Sequence, residues 1–210
     1  TALVTPFAAD GAINNDLLCD LVDWQLQSGV DGIVPCGTTG EASTITNDEH
    51  ASVIEAVVTR VNGQAKVLAG VGGNDTRNVT ILASRALEIG ADGVLAVAPY
   101  YNKPTQAGMV AHFTTIADTV DIPLVLYNVP GRTSSNILPA TVLRLAEHPN
   151  IVGIKEASGD LGQVMTILAG RTKGFSVLSG EDDLTLAMIS LGAEGVISVV
   201  SNEVPNEMSK

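Results

Sequence analysis

The 210-residue sequence is poor in several residue types, and each shortage excludes a class of protein. Only 11 lysines and arginines stand against 23 acidic residues, which gives a net charge of −12. Nucleic acids and anionic membranes bind clustered basic side chains, so neither is an expected partner. No apolar run reaches the roughly 18 residues that a membrane span needs, and no signal peptide is recognisable. We therefore expect a cytoplasmic protein that acts on a small molecule.

Cysteine and histidine are also rare. The two cysteines, Cys19 and Cys36, form no CxxC pair and fall in a predicted helix and at the end of a predicted strand. We expect them to be reduced packing residues. The three histidines, His50, His112 and His148, are far apart and lack the spacing of metal ligands. The sequence therefore predicts neither a disulfide framework nor a metal site.

Aromatic residues make up only 3% of the chain, whereas 45% of its residues are hydrophobic and 21 are glycine. This composition is unlike that of a disordered protein and suits the packing of small side chains between strands and helices. The length allows one large domain with a sizeable core, and no linker interrupts the chain. We expect a single domain over residues 1–210.

Short apolar runs alternate with amphipathic helical segments along the whole chain. Helix-end signals support this division: Asn15 is a predicted cap, Thr46 and Glu49 form a capping box, and Gly90 follows an apolar helix face. Eight runs are predicted strands, namely Thr1–Thr5, Gly32–Pro35, Lys66–Val71, Gly93–Val97, Pro123–Tyr127, Ile151–Lys155, Phe175–Leu178 and Gly195–Ser198.

Eight apolar strands, each followed by a helix, predict a parallel sheet that helices cover, and the number favours closure into a TIM (β/α)8 barrel. An open doubly wound sheet is the alternative, but no GxGxxG sequence follows the first strand. Barrels of this type run to about 250 residues. We therefore expect this chain to lack most of the last helix and the carboxyl-terminal helical region.

One lysine ends the sixth predicted strand. Buried surfaces beside Lys155 would disfavour its charged form, so its pKa should fall and its amine should become a nucleophile for Schiff-base formation. On this run alone, a lysine that ends an edge strand and points into water is the commoner situation. Lys66, by contrast, precedes its strand at the opposite face and is expected to be structural.

Other chemically capable residues also follow strand ends, where the active sites of these barrels lie. Tyr127 closes a strand, Arg132 follows a Pro-Gly turn, and the loop 37–41 offers hydroxyls and amides. Each has an ordinary alternative, as a core tyrosine, a surface salt bridge and a loop turn. Together with Lys155 they suit carbonyl condensation through an imine, with hydroxyl groups carrying protons and no metal or organic cofactor.

Four segments near the predicted strand ends form a distinctive set: Gly37-Thr38-Thr39-Gly40-Glu41-Ala42, Tyr100-Tyr101-Asn102-Lys103-Pro104, Tyr127-Asn128-Val129-Pro130-Gly131-Arg132-Thr133 and Gly153-Ile154-Lys155-Glu156-Ala157. In these segments and in their order, the sequence resembles the dihydrodipicolinate synthase family, within the N-acetylneuraminate lyase superfamily, over essentially its whole length. The resemblance implies a lyase of the class I aldolase type that condenses pyruvate with L-aspartate 4-semialdehyde to 4-hydroxy-tetrahydrodipicolinate in diaminopimelate and lysine biosynthesis.

The resemblance also implies catalytic roles. Lys155 would form the imine with pyruvate, while Tyr127, Thr39 and Tyr101 would relay protons. Tyr101 would reach into the site of a neighbouring subunit, so a homodimer or homotetramer is implied. Thr38 and Thr39 would hold the pyruvate carboxylate.

The remaining implied substrate contacts involve Arg132, which would bind the semialdehyde carboxylate, and backbone groups of Gly180 and Ile197. Arg132 after Gly131 favours the synthase over N-acetylneuraminate lyase, whose relatives carry other residues there. Aldolases that act on other sugar acids share the lysine and tyrosine, so an enzyme with a different acceptor aldehyde remains an alternative. A barrel fragment that has lost activity and serves only as a binding or scaffold protein is a further alternative.

A possible allosteric site is also implied. His50, Asn74 and Tyr100 match the family's lysine-binding cleft at the dimer interface, whereas Asn78 replaces its acidic residue. Because a neutral side chain holds a lysine ammonium group less well, we expect weak or absent inhibition by lysine.

Overall fold

The structure, a computed structural model, describes residues 1–210 and contains seven regular strands joined by helices. The strands are β1 Gly32–Ile33, β2 Lys66–Gly70, β3 Gly93–Val97, β4 Leu124–Asn128, β5 Ile151–Glu156, β6 Ser176–Ser179 and β7 Gly195–Val196. The helices are α1 Asn15–Gln27, α2 Asn47–Val61, α3 Thr76–Ile89, α4 Gln106–Thr119, α5 Pro130–Thr133, α6 Pro139–Leu145, α7 Leu161–Gly170, α8 Thr185–Leu191 and α9 Pro205–Met208, with a 3-10 turn at Val200–Asn202.

The strands form one parallel sheet in the order of the sequence, and the amino-terminal segment connects its two edges. Ala2 N–H donates to the Ser198 carbonyl at 2.8 Å, on the side of β7. On the side of β1, Val34 N–H donates to the Thr1 carbonyl at 2.8 Å, and Leu3 N–H donates to the Val34 carbonyl at 3.0 Å. These bonds close the ring, so the predicted α/β barrel is confirmed.

The prediction of a regular first strand over Thr1–Thr5 is wrong. This segment forms only an isolated bridge between Ala2 and Val34. The next amide along the chain, that of Val4, donates to the Asn202 side chain at 3.1 Å instead of to a strand. The backbone hydrogen bonds between this segment and β1 therefore stop at Leu3, too early to form a regular strand.

Most helix-end predictions are confirmed. Thr46 and Glu49 form the capping box of α2, and Gly90 ends α3 with a φ of +98°, a left-handed conformation that glycine adopts without a steric penalty. The predicted cap of α1 is off by one residue. The side chain of Asn14, not Asn15, accepts the Leu17 N–H at 3.0 Å and precedes the first helical residue.

The main core lies between the sheet and the helices, and α2 supplies Val53, Ile54, Val57 and Val61 to it. Helical periodicity predicts that Met165 of α7 and Leu191 of α8 lie on core-facing sides, but these side chains are 49% and 38% exposed. For these two residues that prediction is wrong.

Features outside the barrel mouth are mostly structural. Lys66 Nζ lies 2.6 Å from Asp92 Oδ1 at the amino-terminal end of the strands, and Cys19 and Cys36 are free thiols. No group of three or more histidine, cysteine or acidic side chains is placed to hold a metal ion. The helices are all too short or too polar to cross a membrane.

Candidate active site

Lys155 lies inside the barrel, near the carboxyl end of β5. It is only 4% exposed. Parallel register pairs it with Tyr127 of β4 on one side and Leu178 of β6 on the other. Its Nζ atom lies 4.4 Å from the centre of the Tyr127 ring. The lysine therefore does not point into water, and its amine is held against a phenol.

Burial makes this amine a usable nucleophile. Desolvation lowers the pKa of Lys155 from 10.5 to about 8. The carboxylates of Asp182 and Glu181 act in the opposite direction, and the Arg132 guanidinium adds to the decrease. An amine with this pKa is partly unprotonated near neutral pH, as attack on a ketone requires.

Gly180 makes room for the aliphatic part of Lys155. A Cβ atom at Gly180 would lie 2.7 Å from the Ala157 Cβ and 3.0 Å from the Lys155 Cε. Real Cβ atoms essentially never approach other heavy atoms under 3.0 Å. The absence of a side chain at position 180 therefore permits the observed path of the lysine. Ile197, another predicted pocket residue, packs in the barrel-interior cluster that contains Tyr127 and Ala157.

Tyr127 closes β4 and is 7% exposed. Burial raises the pKa of its phenol, an effect that the positive charge of Arg132 opposes. The Glu181 carboxylate raises this pKa further, and the nearby Thr38 hydroxyl lowers it. The phenol is therefore protonated at neutral pH and lies beside a second hydroxyl, an arrangement that can pass a proton.

The loop after β1 carries the two predicted threonines. Gly40 lets this loop pack closely, because a Cβ there would lie 3.0 Å from the Leu3 carbonyl oxygen. The Thr5 hydroxyl donates to the Gly40 carbonyl at 2.7 Å and holds the loop from the amino-terminal segment. Thr38 is exposed at the mouth of the barrel, and Thr39 is half-buried beside it.

Arg132 lies in α5, a single helical turn after β4 that the sequence predicted only as a Pro-Gly turn. Its guanidinium is exposed and forms no hydrogen bond or ion pair with the rest of the chain. The ordinary alternative of a surface salt bridge is therefore wrong. A free guanidinium at the mouth of the barrel can form a bidentate pair with a carboxylate.

A cavity of about 440 Å³ opens at this mouth and is lined by members of both predicted sets of residues. From the substrate-binding and catalytic set come Thr38, Tyr127 and Arg132. From the predicted allosteric site come His50, Asn74, Asn78 and Tyr100. Lys155, Thr39, Gly180 and Ile197 are not among the lining residues.

His50 and Tyr101, two of the residues predicted from the sequence, have unusual surroundings. His50 is buried, and burial lowers the pKa of its imidazole. Its Nε2 atom is 2.7 Å from the Gly70 carbonyl, whereas its buried Nδ1 atom has no hydrogen-bond partner.

Tyr101 lies outside the cavity: its side chain is 89% exposed, and its φ is +70°, in the left-handed region. Within one chain, Tyr101 does not join the other predicted catalytic residues.

Sequence reasoning missed two carboxylates near the lysine. Glu181 and Asp182 follow Gly180 and raise the pKa of Lys155. Asp182 Oδ2 accepts the backbone N–H groups of Val199 and Val200 at 3.0 and 3.1 Å. Their position directly after β6 could have identified them, because other site residues also lie at or directly after the carboxyl end of a strand.

The whole chain, residues 1–210, matches a family profile described as the dihydrodipicolinate synthetase family. The chain belongs to this family. Among its members, the 4-hydroxy-tetrahydrodipicolinate synthase of Pelobacter propionicus is 54% identical over 209 residues, which are 100% of this chain and 72% of that one.

Solved structures of the dihydrodipicolinate synthetase family also match. The dihydrodipicolinate synthase of Aquifex aeolicus is 47% identical, with a TM-score of 0.98, over 100% of this chain and 71% of that one. The enzyme of Acinetobacter baumannii, solved in complex with pyruvate, is 44% identical, with a TM-score of 0.97, over 99% and 72%. The predicted family and fold class are confirmed.

Proposed function

We propose that this chain condenses pyruvate with L-aspartate 4-semialdehyde to 4-hydroxy-tetrahydrodipicolinate. Relatives about half identical over the whole chain are 4-hydroxy-tetrahydrodipicolinate synthases, so a lyase of the class I aldolase type agrees with the sequence expectation. The observation that carries the proposal is the buried Lys155 amine, with its lowered pKa, against the Tyr127 ring.

The first step forms the imine. Lys155 Nζ attacks the ketone carbon of pyruvate, and the carbinolamine loses one water molecule as Tyr127 delivers a proton to the departing oxygen. The Tyr127 phenolate then takes a proton from the methyl group, which gives the enamine and restores the phenol. The protonated nitrogen of the imine withdraws electrons from the methyl group, so neither a metal nor an organic cofactor is required.

The second step forms the carbon–carbon bond. The enamine carbon attacks the aldehyde of the semialdehyde, and the new alkoxide takes a proton from the hydroxyl relay. The substrate amine then attacks the imine carbon and displaces Lys155, which closes the ring and regenerates the enzyme. The by-products are the water lost in the first step and one proton, which the substrate ammonium group gives up before its nitrogen attacks.

Substrate carboxylates have two separate holding sites in this proposal. Thr38 and Thr39, in the loop after β1, offer hydroxyl and amide donors to the pyruvate carboxylate. Arg132 binds the semialdehyde carboxylate, since its guanidinium has no partner within the chain. Backbone groups of Gly180, which lies against the Lys155 side chain, and of Ile197, which packs in the cluster of Tyr127, are the remaining proposed substrate contacts.

Tyr101 completes the proton relay from a second subunit. Its side chain is almost fully exposed and is carried on a backbone in the left-handed region, which costs a non-glycine residue about 1 kcal/mol or more. A contact with another copy of the chain accounts for both features. We therefore propose a homodimer or homotetramer in which Tyr101 serves the partner's site.

A coupled assay tests the acceptor. Pyruvate is offered with either aspartate 4-semialdehyde or N-acetylmannosamine, and the loss of each aldehyde is followed. We expect turnover with the semialdehyde only. Arg132→Ala should raise the KM for the semialdehyde more than tenfold, as expected for a lost charge-assisted pair worth about 1.5–3 kcal/mol. Arg144→Ala, on the exposed face of α6, is the matched control. Equal or better turnover with N-acetylmannosamine would contradict the proposal.

A further inference from the structure

A second side-chain pair lies one residue beyond Tyr127 and Lys155 on the same two strands. Asn128 is register-paired with Glu156, and its Nδ2 group donates to both carboxylate oxygens at 3.2 and 3.1 Å. Both residues are almost fully buried, at 0% and 1% exposed. Because successive strand residues point to opposite faces, this pair lies on the helix side of the sheet while Tyr127 and Lys155 face the barrel interior.

Neutral donors alone hold the buried carboxylate. Besides Asn128, the Ser158 backbone N–H donates to Glu156 Oε1 at 2.7 Å, and Gln163 Nε2 on α7 donates to Oε2 at 3.1 Å. None of the ion pairs of the chain involves Glu156. A buried acceptor with this many donors is geometrically restrained, and loss of one partner leaves a buried polar group unpaired.

The pairing of β4 with β5 is irregular, so its register needs such a restraint. Leu124 pairs with Ile151, but the next residue, Val125, pairs with Gly153, which leaves Val152 as an extra residue on β5. Without this bulge, continued pairing would place Ile154 opposite Tyr127, and the lysine would move one position along. A slip of one residue also reverses the face of each side chain.

The same network holds the loop that carries Arg132. Asn128 Oδ1 accepts the Ile137 N–H at 2.9 Å, and Asn128 Nδ2 donates to Asn136 Oδ1 at 2.8 Å. Asn136 in turn donates to Gln163 Oε1 at 3.0 Å. Both ends of the segment between β4 and α6 are therefore fixed to the carboxylate network.

We propose that Asn128 and Glu156 are positioning residues of the condensation reaction. Their hydrogen bonds fix the register that brings the Lys155 amine against the Tyr127 phenol and hold the loop of the substrate-binding arginine. They act through these neighbours and touch no substrate. This inference rests on the proposed function, whose reaction needs the Tyr127 phenol placed to move protons on the substrate that Lys155 carries.

The expected phenotype is a loss of turnover without loss of imine capacity. Glu156→Gln keeps the size of the side chain but sets an amide donor against the donors of Asn128, Ser158 and Gln163. Borohydride trapping reads how much imine has accumulated, so over a long incubation imine with bound pyruvate can still form when proton delivery from Tyr127 is slow. Proton transfer needs an aligned phenol, and a misplacement of about 1 Å can lower a rate about 100-fold.

Three quantities are measured on the full 210-residue chain: the folded fraction by circular dichroism, the fraction of Lys155 trapped by borohydride with pyruvate, and kcat with KM. For Glu156→Gln we expect the trapped fraction within about twofold of the parent, the KM for pyruvate within about threefold, and kcat per trapped lysine lower by about 10- to 100-fold.

The matched control is Gln25→Leu, which removes a fully buried polar side chain whose Nε2 group donates to the Ser201 carbonyl at 2.8 Å. It should lose stability but keep kcat per trapped lysine. If Glu156→Gln does not fold, Gln163→Leu removes one donor of the carboxylate and the acceptor of Asn136, and it should reduce kcat per trapped lysine by a smaller factor. Parent-like kcat per trapped lysine in Glu156→Gln, or in Gln163→Leu where Glu156→Gln does not fold, would overturn the inference.

A structural readout separates this inference from the proposed function. In a crystal structure of Glu156→Gln, we expect the distance from Lys155 Nζ to the Tyr127 ring centre to increase by about 1 Å or more. An unchanged distance would overturn the positioning role even if the parent chain were inactive. Conversely, an inactive parent chain that forms no pyruvate adduct would contradict the function and leave this distance test in force.

Discussion

Lys155 and Tyr127 are direct register partners on β5 and β4, and the lysine Nζ atom lies 4.4 Å from the centre of the tyrosine ring. Both side chains are buried, and burial moves their pKa values in opposite directions, down for the amine and up for the phenol. At neutral pH the pair therefore contains a partly unprotonated nucleophile and a protonated acid. Imine formation requires this combination of protonation states.

Removal of the Tyr127 hydroxyl should separate proton transfer from folding. Tyr127→Phe keeps the ring against Lys155 and leaves the apolar packing intact, so the melting temperature should change little. Because a positioned acid or base contributes about 10²- to 10⁴-fold, kcat should fall by a factor in that range. Steady-state kinetics together with thermal denaturation check this. Parent-like kcat would show that another group relays the proton.

Pyruvate capture should depend on pH through the Lys155 amine. Below its pKa of about 8 the amine is mostly protonated, so the rate of adduct formation should rise about tenfold per pH unit and level off above that value. A lysine in water would show the same rise up to about pH 10. Stopped-flow measurements between about pH 6 and 11, a range that spans the two pKa values of about 8 and 10.5, distinguish the cases.

The same pKa shift affects stability. The unfolded state binds the proton more tightly than the folded state, so this group increases the free energy of unfolding as pH rises from about 8 to 10.5.

Gly180→Ala should disturb the lysine directly. The added methyl group would meet Ala157 and the Lys155 stem at 3.0 Å or less, and such overpacking costs about 1–3 kcal/mol. We expect a lower melting temperature and a reduced trapped fraction of Lys155. Gly195→Ala is the matched control, because its Cβ would only touch a Leu178 methyl group at 3.8 Å. Equal trapping in the two variants would show that the lysine stem tolerates displacement.

Lysine should inhibit this chain weakly, and Asn78→Asp should strengthen the inhibition. Asn78 lines the cavity with His50 and accepts a hydrogen bond from Asn47 Nδ2 at 2.9 Å, which an aspartate of the same shape can also accept. The new carboxylate should lower the inhibition constant about tenfold, equivalent to about 1.4 kcal/mol. Asn206→Asp, exposed on α9, adds the same charge elsewhere. A submillimolar inhibition constant for the parent chain would contradict the first expectation.

Much of the fold could be predicted because its signals are local. Apolar runs of strand length and the Thr46 capping box depend on nearby residues, and both were found where the sequence placed them. The failed predictions depend on distant partners. The pairing of the amino-terminal segment is limited by Asn202, nearly 200 residues away in the chain. The exposure of Met165 depends on what covers α7, which helical periodicity does not encode.

The location of the candidate site was predictable from the strand ends, but the carboxylates and hydrogen bonds around the reacting groups were not. Lys155 and Tyr127 lie at the ends of apolar runs, so their common location follows from barrel geometry. The carboxylates of Glu181 and Glu156 were missed because an acidic residue after a strand resembles an ordinary solvated side chain. Only the register of β4 with β5, including its bulge, shows that Glu156 pairs with Asn128 behind the reacting groups.

The most direct test of the central claim is reduction with borohydride in the presence of pyruvate, followed by peptide mass spectrometry. Lys155→Arg, which keeps the charge but has no nucleophilic amine, and the structural Lys66 within the same sample serve as controls. The account predicts a reduced pyruvate adduct on Lys155, none on Lys66, and none in the variant. A folded parent chain with no adduct, or with the adduct on another lysine, would contradict it.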